Sequence, residues 1–321
     1  MTELVREENY ERLMRKIVEP GLAAMREEID MPLSGGGTLR AEVYNRLDAT
    51  RAVVILHGYT ESAEKFREMA WYFIHAGFSV FAMDHRGHGR SVRALEDTSI
   101  THVEHFEDYL HDLEEFMEKV VRPRMQGGTL CLYAHSMGGA VGAFALMEHP
   151  DWFARAVLTA PMIAPVSKPL TPGLARAVAG AMCAQGQGKR RAFIGKPFDP
   201  ASETLETSCS TSRARFDYYE RKRVENRHLQ NCSPTYGWVR EAVSVTRKLL
   251  DPQNDAKIVT PLLLCQAGLD TIVCLPEQEQ FVAQVKGARL IRYETARHEI
   301  YNSTDDVMER YVDDVIGFLS E

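Results

Sequence analysis

Short apolar runs rich in β-branched residues alternate along this chain with longer amphipathic stretches. AVVIL (52–56), SVFAM (79–83), TLCLYA (129–134), ARAVLTA (154–160), IVTPLLLCQA (258–267) and ARLIRY (288–293) read as strands. THVEHFEDYLHDLEEFMEKV (101–120) and the run after Ser136 read as helices. Strands that alternate with helices imply a mostly parallel sheet covered on both faces, an α/β architecture. The alternation stops after Pro161: residues 162–255 carry helical patterns and turns without clear strands, and the sheet then resumes. The expected organisation is a core in two parts, 1–161 and 256–321, with 162–255 as a helical cap insertion. The charged segment before residue 30 has a helical pattern and is expected to pack on the core. GGG at 35–37 suits a hairpin turn, and GGAVG at 138–142 suits close packing of a helix; neither sits in the context of a nucleotide loop.

One junction carries chemistry. In YAHSMGGA, Ser136 stands directly between an apolar strand and a helix, the arrangement of a nucleophile elbow. Such a sharp turn strains the backbone of its central residue and needs small neighbours two positions away on each side, here Ala134 and Gly138. Alanine stands where the G-x-S-x-G pattern has its first glycine, yet it meets the steric requirement. A serine hydroxyl is a weak nucleophile and needs a base oriented by a third group. Two later strand ends supply candidates: the turn after PLLLCQAGL presents Asp270, and the loop after ARLIRY carries His298. Their chain order, Ser then Asp then His, is that of the α/β-hydrolases. Upstream, AVVIL ends in His57 and Gly58. There the backbone N–H of Tyr59 can join that of Met137 in facing a developing oxyanion, while the His57 side chain is expected only to anchor the turn.

Taken together, HGYTES, MDHRGHGRS, AHSMGGA, GLD and ARHEIYN resemble the α/β-hydrolase superfamily, in particular its lysophospholipase and monoacylglycerol lipase branch, which includes serine aminopeptidase-like proteins. The resemblance spans roughly residues 30–320. The segment TSRARFDYYERKRVENRHLQNCSPTYGWVREA is similar to the cap region of bacterial lysophospholipases. It implies Ser136 as nucleophile, His298 as base, Asp270 as acid, and the amides of Tyr59 and Met137 as the oxyanion hole. The expected reaction is hydrolysis of a single-chain lipid ester, lysophospholipid or monoacylglycerol. Dehalogenase and epoxide hydrolase readings are disfavoured, because those families resemble chains with an aspartate where Ser136 stands.

Within the cap, MIAPVSKPL and LARAVAGAMCA suit either the lining of an acyl tunnel or packing against the core. The basic and aromatic RARFDYYERKRVENRH suits either a solvated face or a head-group site in which Arg213, Arg215 or Arg221 reads a phosphate. Glu203, Glu206, Asp217 and Glu220 keep open a peptidase that holds a free amine. A small-ester carboxylesterase and a non-catalytic binding protein also stay open on this pattern.

Composition narrows the remaining classes. The chain has 321 residues, a formal charge of −7 and 45% hydrophobic residues, so it offers no basic field for nucleic acid. No secretory pattern opens it and no run approaches the roughly 20 apolar residues of a membrane span, so a cytoplasmic protein is expected, meeting membranes at most peripherally at their surface. Acyl length, head group and oligomeric state are not legible. The six cysteines lack paired short spacings and are expected as reduced thiols. His102 and His105 could share a helical face, but no further ligand accompanies them. No metal or cofactor is expected.

Overall fold

The computed structural model describes residues 3–321. Eight strands form the main sheet: β1 (Arg26–Pro32), β2 (Thr38–Tyr44), β3 (Arg51–Leu56), β4 (Ser79–Met83), β5 (Thr129–His135), β6 (Arg155–Thr159), β7 (Leu262–Ala267) and β8 (Arg289–Tyr293). Their spatial order is β1-β2-β4-β3-β5-β6-β7-β8. All neighbours from β4 to β8 pair in parallel, whereas β1 and β2 form an antiparallel hairpin beside β4. That hairpin closes through Gly36 and Gly37 at φ of 91° and 84°, a backbone region that favours glycine.

Continuous apolar strands follow from burial on both faces. On β3, Val54 and Leu56 join one hydrophobic cluster while Val53 and Ile55 join the other. On β5, Leu132 and Ala134 face the first cluster, Cys131 and Tyr133 the second. Successive side chains of a strand point to opposite faces, so both layers of helices are anchored by the same strands. The first layer includes α2 (Glu107–Phe116) and α3 (Ser136–Glu148); the second includes α1 (Arg67–His75) and the C-terminal helix (Asp305–Ser320). The helical run from Glu7 to Ala23 places Tyr10, Met14, Val18 and Leu22 in the second cluster.

Between β6 and β7 lie α4 (Pro172–Ala184), α5 (Arg213–Glu225) and α6 (Tyr236–Ser244). α4 and α5 each begin at a side-chain cap, Thr171 accepting from Leu174 N and Ser212 from Arg215 N. Trp238, Ala242, Val245 and Leu249 belong to the main cluster, so the end of this insertion shares the core. The insertion is also stitched to the core by two short parallel strands, Ile100–Thr101 and Ser233–Pro234. This pairing corrects the helix expected from Thr101. The helix begins at Glu107, because Thr101 is extended against Pro234 and the His102 Nδ1 lies 2.8 Å from Thr235 Oγ1. His102 and His105 therefore precede the helix and share no helical face. All six cysteines are free thiols, with Cys131 and Cys265 buried in strands.

Candidate active site

Ser136 begins α3 directly after β5 and has a φ of 51°. This left-handed strain is the cost of lifting a side chain out of the strand-to-helix corner. The corner closes only because its second neighbour lacks a side chain: a Cβ on Gly138 would lie 2.4 Å from the Leu56 carbonyl oxygen and 2.5 Å from that of His57. On the other side Ala134 is fully buried, so alanine in place of the pattern's first glycine is accommodated.

His298 and Asp270 arrive from the ends of β8 and β7, 162 and 134 positions beyond the serine by chain order but adjacent in space. The His298 Nε2 lies 2.8 Å from Ser136 Oγ and its Nδ1 lies 2.7 Å from Asp270 Oδ2. The other Asp270 oxygen accepts the backbone N–H groups of Ile272 (2.8 Å) and Val273 (3.1 Å). Burial opposes the Asp270 charge, but the His298 imidazole and these amides outweigh it and hold the carboxyl below its ordinary range. Burial likewise opposes charge on His298. Asp270 overcomes it, helped by Glu61 and Glu299, and raises the imidazole above its usual pKa. This arrangement lets a serine transfer its proton as it attacks and stabilises the imidazolium that forms.

Tyr59 and Met137 flank the same corner. Met137 lies in the first turn of α3, where backbone N–H groups have no intrahelical acceptor. At Tyr59 the orientation comes from His57. The His57 Nε2 accepts from the His85 N–H at 2.9 Å, which places the proton on Nδ1, 2.7 Å from the Gly58 carbonyl oxygen. Burial holds this ring neutral by pushing its pKa down to about 4. In a trans peptide the N–H points opposite to the C=O, so fixing Gly58 oxygen toward His57 turns the Tyr59 N–H away from it.

Glu61 was not legible as a site residue. It is buried, and its Oε2 accepts the Gly58 N–H at 2.6 Å while Oε1 takes the Tyr301 hydroxyl and lies 3.1 Å from Lys65 Nζ. Lys65 also binds Glu299 at 2.5 Å. Burial resists the charge on Glu61, yet Lys65 and His135 carry its pKa down to about 2. The network ties the turn bearing Tyr59 to the loop bearing His298, since Glu299 and Tyr301 closely follow the histidine. Its sequence signal is weak: an acid three residues after Gly58, and E-I-Y after His298, look like ordinary surface residues.

The three arginines expected at a head group sit elsewhere. Arg215 is fully buried, with Nη2 3.0 Å from Glu68 Oε1 and 2.8 Å from the Val5 carbonyl, and with Nη1 on the Ser303 carbonyl and Asp305. Every nitrogen of its guanidinium is engaged in joining α5 to the core, so it cannot read a phosphate. Arg213 is exposed and paired with Glu206 and Asp217; Arg221 is exposed and paired with Glu11 of the N-terminal run. Arg215→Ala should therefore cost about 3–5 kcal/mol of stability by leaving Glu68 buried without its partner. It should leave the preference between lysophospholipid and monoacylglycerol unchanged. Urea unfolding and parallel assays check both halves, and a folded, fully stable variant with altered head-group preference would contradict this account.

Ser136 at a strand-to-helix elbow after the fifth strand, hydrogen-bonded to His298 and through it to Asp270 at the ends of the eighth and seventh strands of a mostly parallel sheet, is the arrangement of an α/β-hydrolase. Comparison with known proteins agrees. Residues 48–305 match the family described as serine aminopeptidase, S33, and the chain belongs to that family. It is 31% identical over 277 residues to lysophospholipase L2 of Escherichia coli strain K12, covering 84% of this chain and 80% of that protein. A monoacylglycerol lipase of Mycolicibacterium smegmatis is 30% identical over 145 residues, covering 44% of this chain and 49% of the relative. Among solved structures, a soluble variant of monoglyceride lipase from Saccharomyces cerevisiae with a substrate analog superposes with a TM-score of 0.73. At 19% identity, covering 92% of this chain and 95% of that one, it shows the shared fold. A thermostable carboxyl esterase from Bacillus coagulans superposes with a TM-score of 0.74 at 18% identity, covering 92% and 98%.

Proposed function

We propose that this protein hydrolyses carboxylic esters of single-chain lipids, lysophospholipids or monoacylglycerols, through an acyl-enzyme intermediate. The observation that carries the chemistry is the unbroken chain of hydrogen bonds from Asp270 through His298 to Ser136. Ser136 attacks the ester carbonyl while His298 takes its proton. The amides of Tyr59 and Met137 hold the oxyanion, and His298 then delivers the proton to the departing alcohol. Water, activated by the same histidine, releases the fatty acid.

A place for the tail supports the lipid reading. An apolar cavity of about 100 Å³ is lined by Val166, Leu170, Phe193, Ile194, Trp238 and Val239, among others. The Trp238 ring in its wall packs against that of Tyr59, with centroids 4.1 Å apart. Phe193 and Ile194 are each more than half exposed and extend the apolar surface outward. The proposed substrates also suit the lysophospholipase and monoacylglycerol lipase names of the relatives. Among the described residues no helix is long and apolar enough to cross a membrane.

Assay of the purified protein on a lysophospholipid, a monoacylglycerol, a short nitrophenyl ester and an aminoacyl anilide tests this assignment. The expected result is a specificity constant for the long-chain lipid esters above that for the short ester. Turnover confined to the anilide would replace the lipase by a peptidase; turnover confined to the short ester would replace it by a carboxylesterase.

A further inference from the structure

A second cavity, polar and of about 200 Å³, adjoins the same loops. Thr60 and Glu299 line it, the residues next in sequence to Tyr59 and His298, together with Glu203, Tyr219, Glu220 and Arg223 of the cap. Its two cations are already committed. Lys65 is held between Glu61 and Glu299. The Arg223 guanidinium binds Glu220 Oε1 at 2.7 Å and the carbonyls of Leu229 and Asn231, and it lies 4.9 Å from the Phe198 ring centroid.

The acceptors are the groups left over. Glu220 Oε2 is buried and has no hydrogen-bond partner among the described residues. The hydroxyl of Tyr219, in a residue only 8% exposed, has only the buried Ser62 hydroxyl near it. Glu203 touches Arg223 only at 3.7 Å. Burial pushes the Glu220 carboxyl upward despite Arg223, a penalty that a cation against its free oxygen would relieve. Three carboxylates, Glu203, Glu220 and Glu299, thus line a cavity whose two cations are spent, with the aromatic rings of Phe216 and Tyr219 in its wall. An anionic phosphate finds no free cation there. An ammonium group finds the unpaired Glu220 Oε2 and the loosely paired Glu203, whereas both Glu299 oxygens are taken by Lys65 and Asn302 and Lys65 also lies over the Tyr219 ring.

We propose that this cavity binds the cationic end of the substrate, so that the enzyme prefers zwitterionic lysophospholipids over anionic ones and over monoacylglycerols. The inference rests on the lipid-ester reading above. The same ammonium chemistry occurs in the free amine of an aminoacyl substrate, and the two sources are separable by assay.

The test measures kcat/KM for wild type, Glu203→Gln, Glu220→Gln and the double variant. The substrates are lysophosphatidylethanolamine, lysophosphatidylglycerol and monoacylglycerol of one acyl chain, and an aminoacyl nitroanilide. The expected result is a fall of about 10–100-fold in the ratio of lysophosphatidylethanolamine to monoacylglycerol turnover in the double variant, the scale of lost charge-assisted hydrogen bonds. A loss confined to the anilide would keep the ammonium site but assign it to an amine of aminoacyl type. An unchanged ratio overturns the proposal. Should Glu220→Gln fail to fold for want of its Arg223 pair, Glu203→Gln and product inhibition of wild type remain. Glycerophosphoethanolamine should inhibit competitively where glycerophosphoglycerol does not, and equal inhibition by both counts against the site. Wild type inactive on every lipid would defeat the lipid-ester reading, whereas wild type active but indifferent to head group would defeat this inference alone.

Discussion

Replacing Ser136 by alanine should lower turnover of every ester substrate by about 10⁴- to 10⁶-fold and abolish labelling by a fluorophosphonate. The size follows from the site acting as a unit. Once the hydroxyl 2.8 Å from His298 is gone, the base has no proton to take and no acyl-enzyme can form. Only the oxyanion amides and substrate binding remain, worth a residual acceleration over water. Stability should change little or improve, because the substitution removes a polar group from a 5% exposed position while keeping the Cβ that the strained corner already accommodates. Rates and thermal melting measured on one preparation separate lost chemistry from lost fold. A folded variant that retains turnover would remove Ser136 from the nucleophile's place.

Asp270→Asn should leave the fold intact and lower turnover by about 10⁴-fold. The amides of Ile272 and Val273 already donate to one Asp270 oxygen, so an asparagine must keep its carbonyl oxygen there and turn its NH₂ toward His298. That NH₂ donates to Nδ1, leaving the imidazole proton on Nε2, where it cannot accept the serine's proton. The pH profile adds a second readout. In wild type the base must be neutral, so kcat/KM rises with pH through the His298 pKa, which Asp270 holds above the ordinary imidazole value. Without that carboxylate charge, burial dominates and residual activity should persist to lower pH. Near-normal turnover in Asp270→Asn, or an inflection shifted upward, would place the orienting acid elsewhere.

The elements that bring Ser136, His298 and Asp270 together were legible because their signals are local. An apolar β-branched run, a serine between small residues and a helix-forming run describe one strand-turn-helix corner, and the structure forms it at residues 129–148. Asp270 and His298 were legible by a different route: each follows a strand, and strands of a parallel sheet deliver their C-terminal ends to one edge. Side-chain fate across the cap was not local. The arginines of α5 were open between a solvated face and a phosphate reader, whereas Arg215 is buried against Glu68, 147 positions away, and against the N-terminal run. Neither partner is visible from the helix that carries it.

The pattern of the chain thus determined six of the eight strands, the strand-turn-helix corner at Ser136 and the chain order of Ser136, Asp270 and His298, since backbone sterics and two-sided strand burial act over a few residues at a time. Tertiary structure decided which charges meet. It placed Glu61 under the Gly58 turn, held residues 100–101 extended against the insertion, and set Glu203 and Glu220 beside Glu299 in one cavity. The reason is that an ion pair or a buried carboxylate is specified by what packs across from it, and those partners come from segments separated by tens to hundreds of residues.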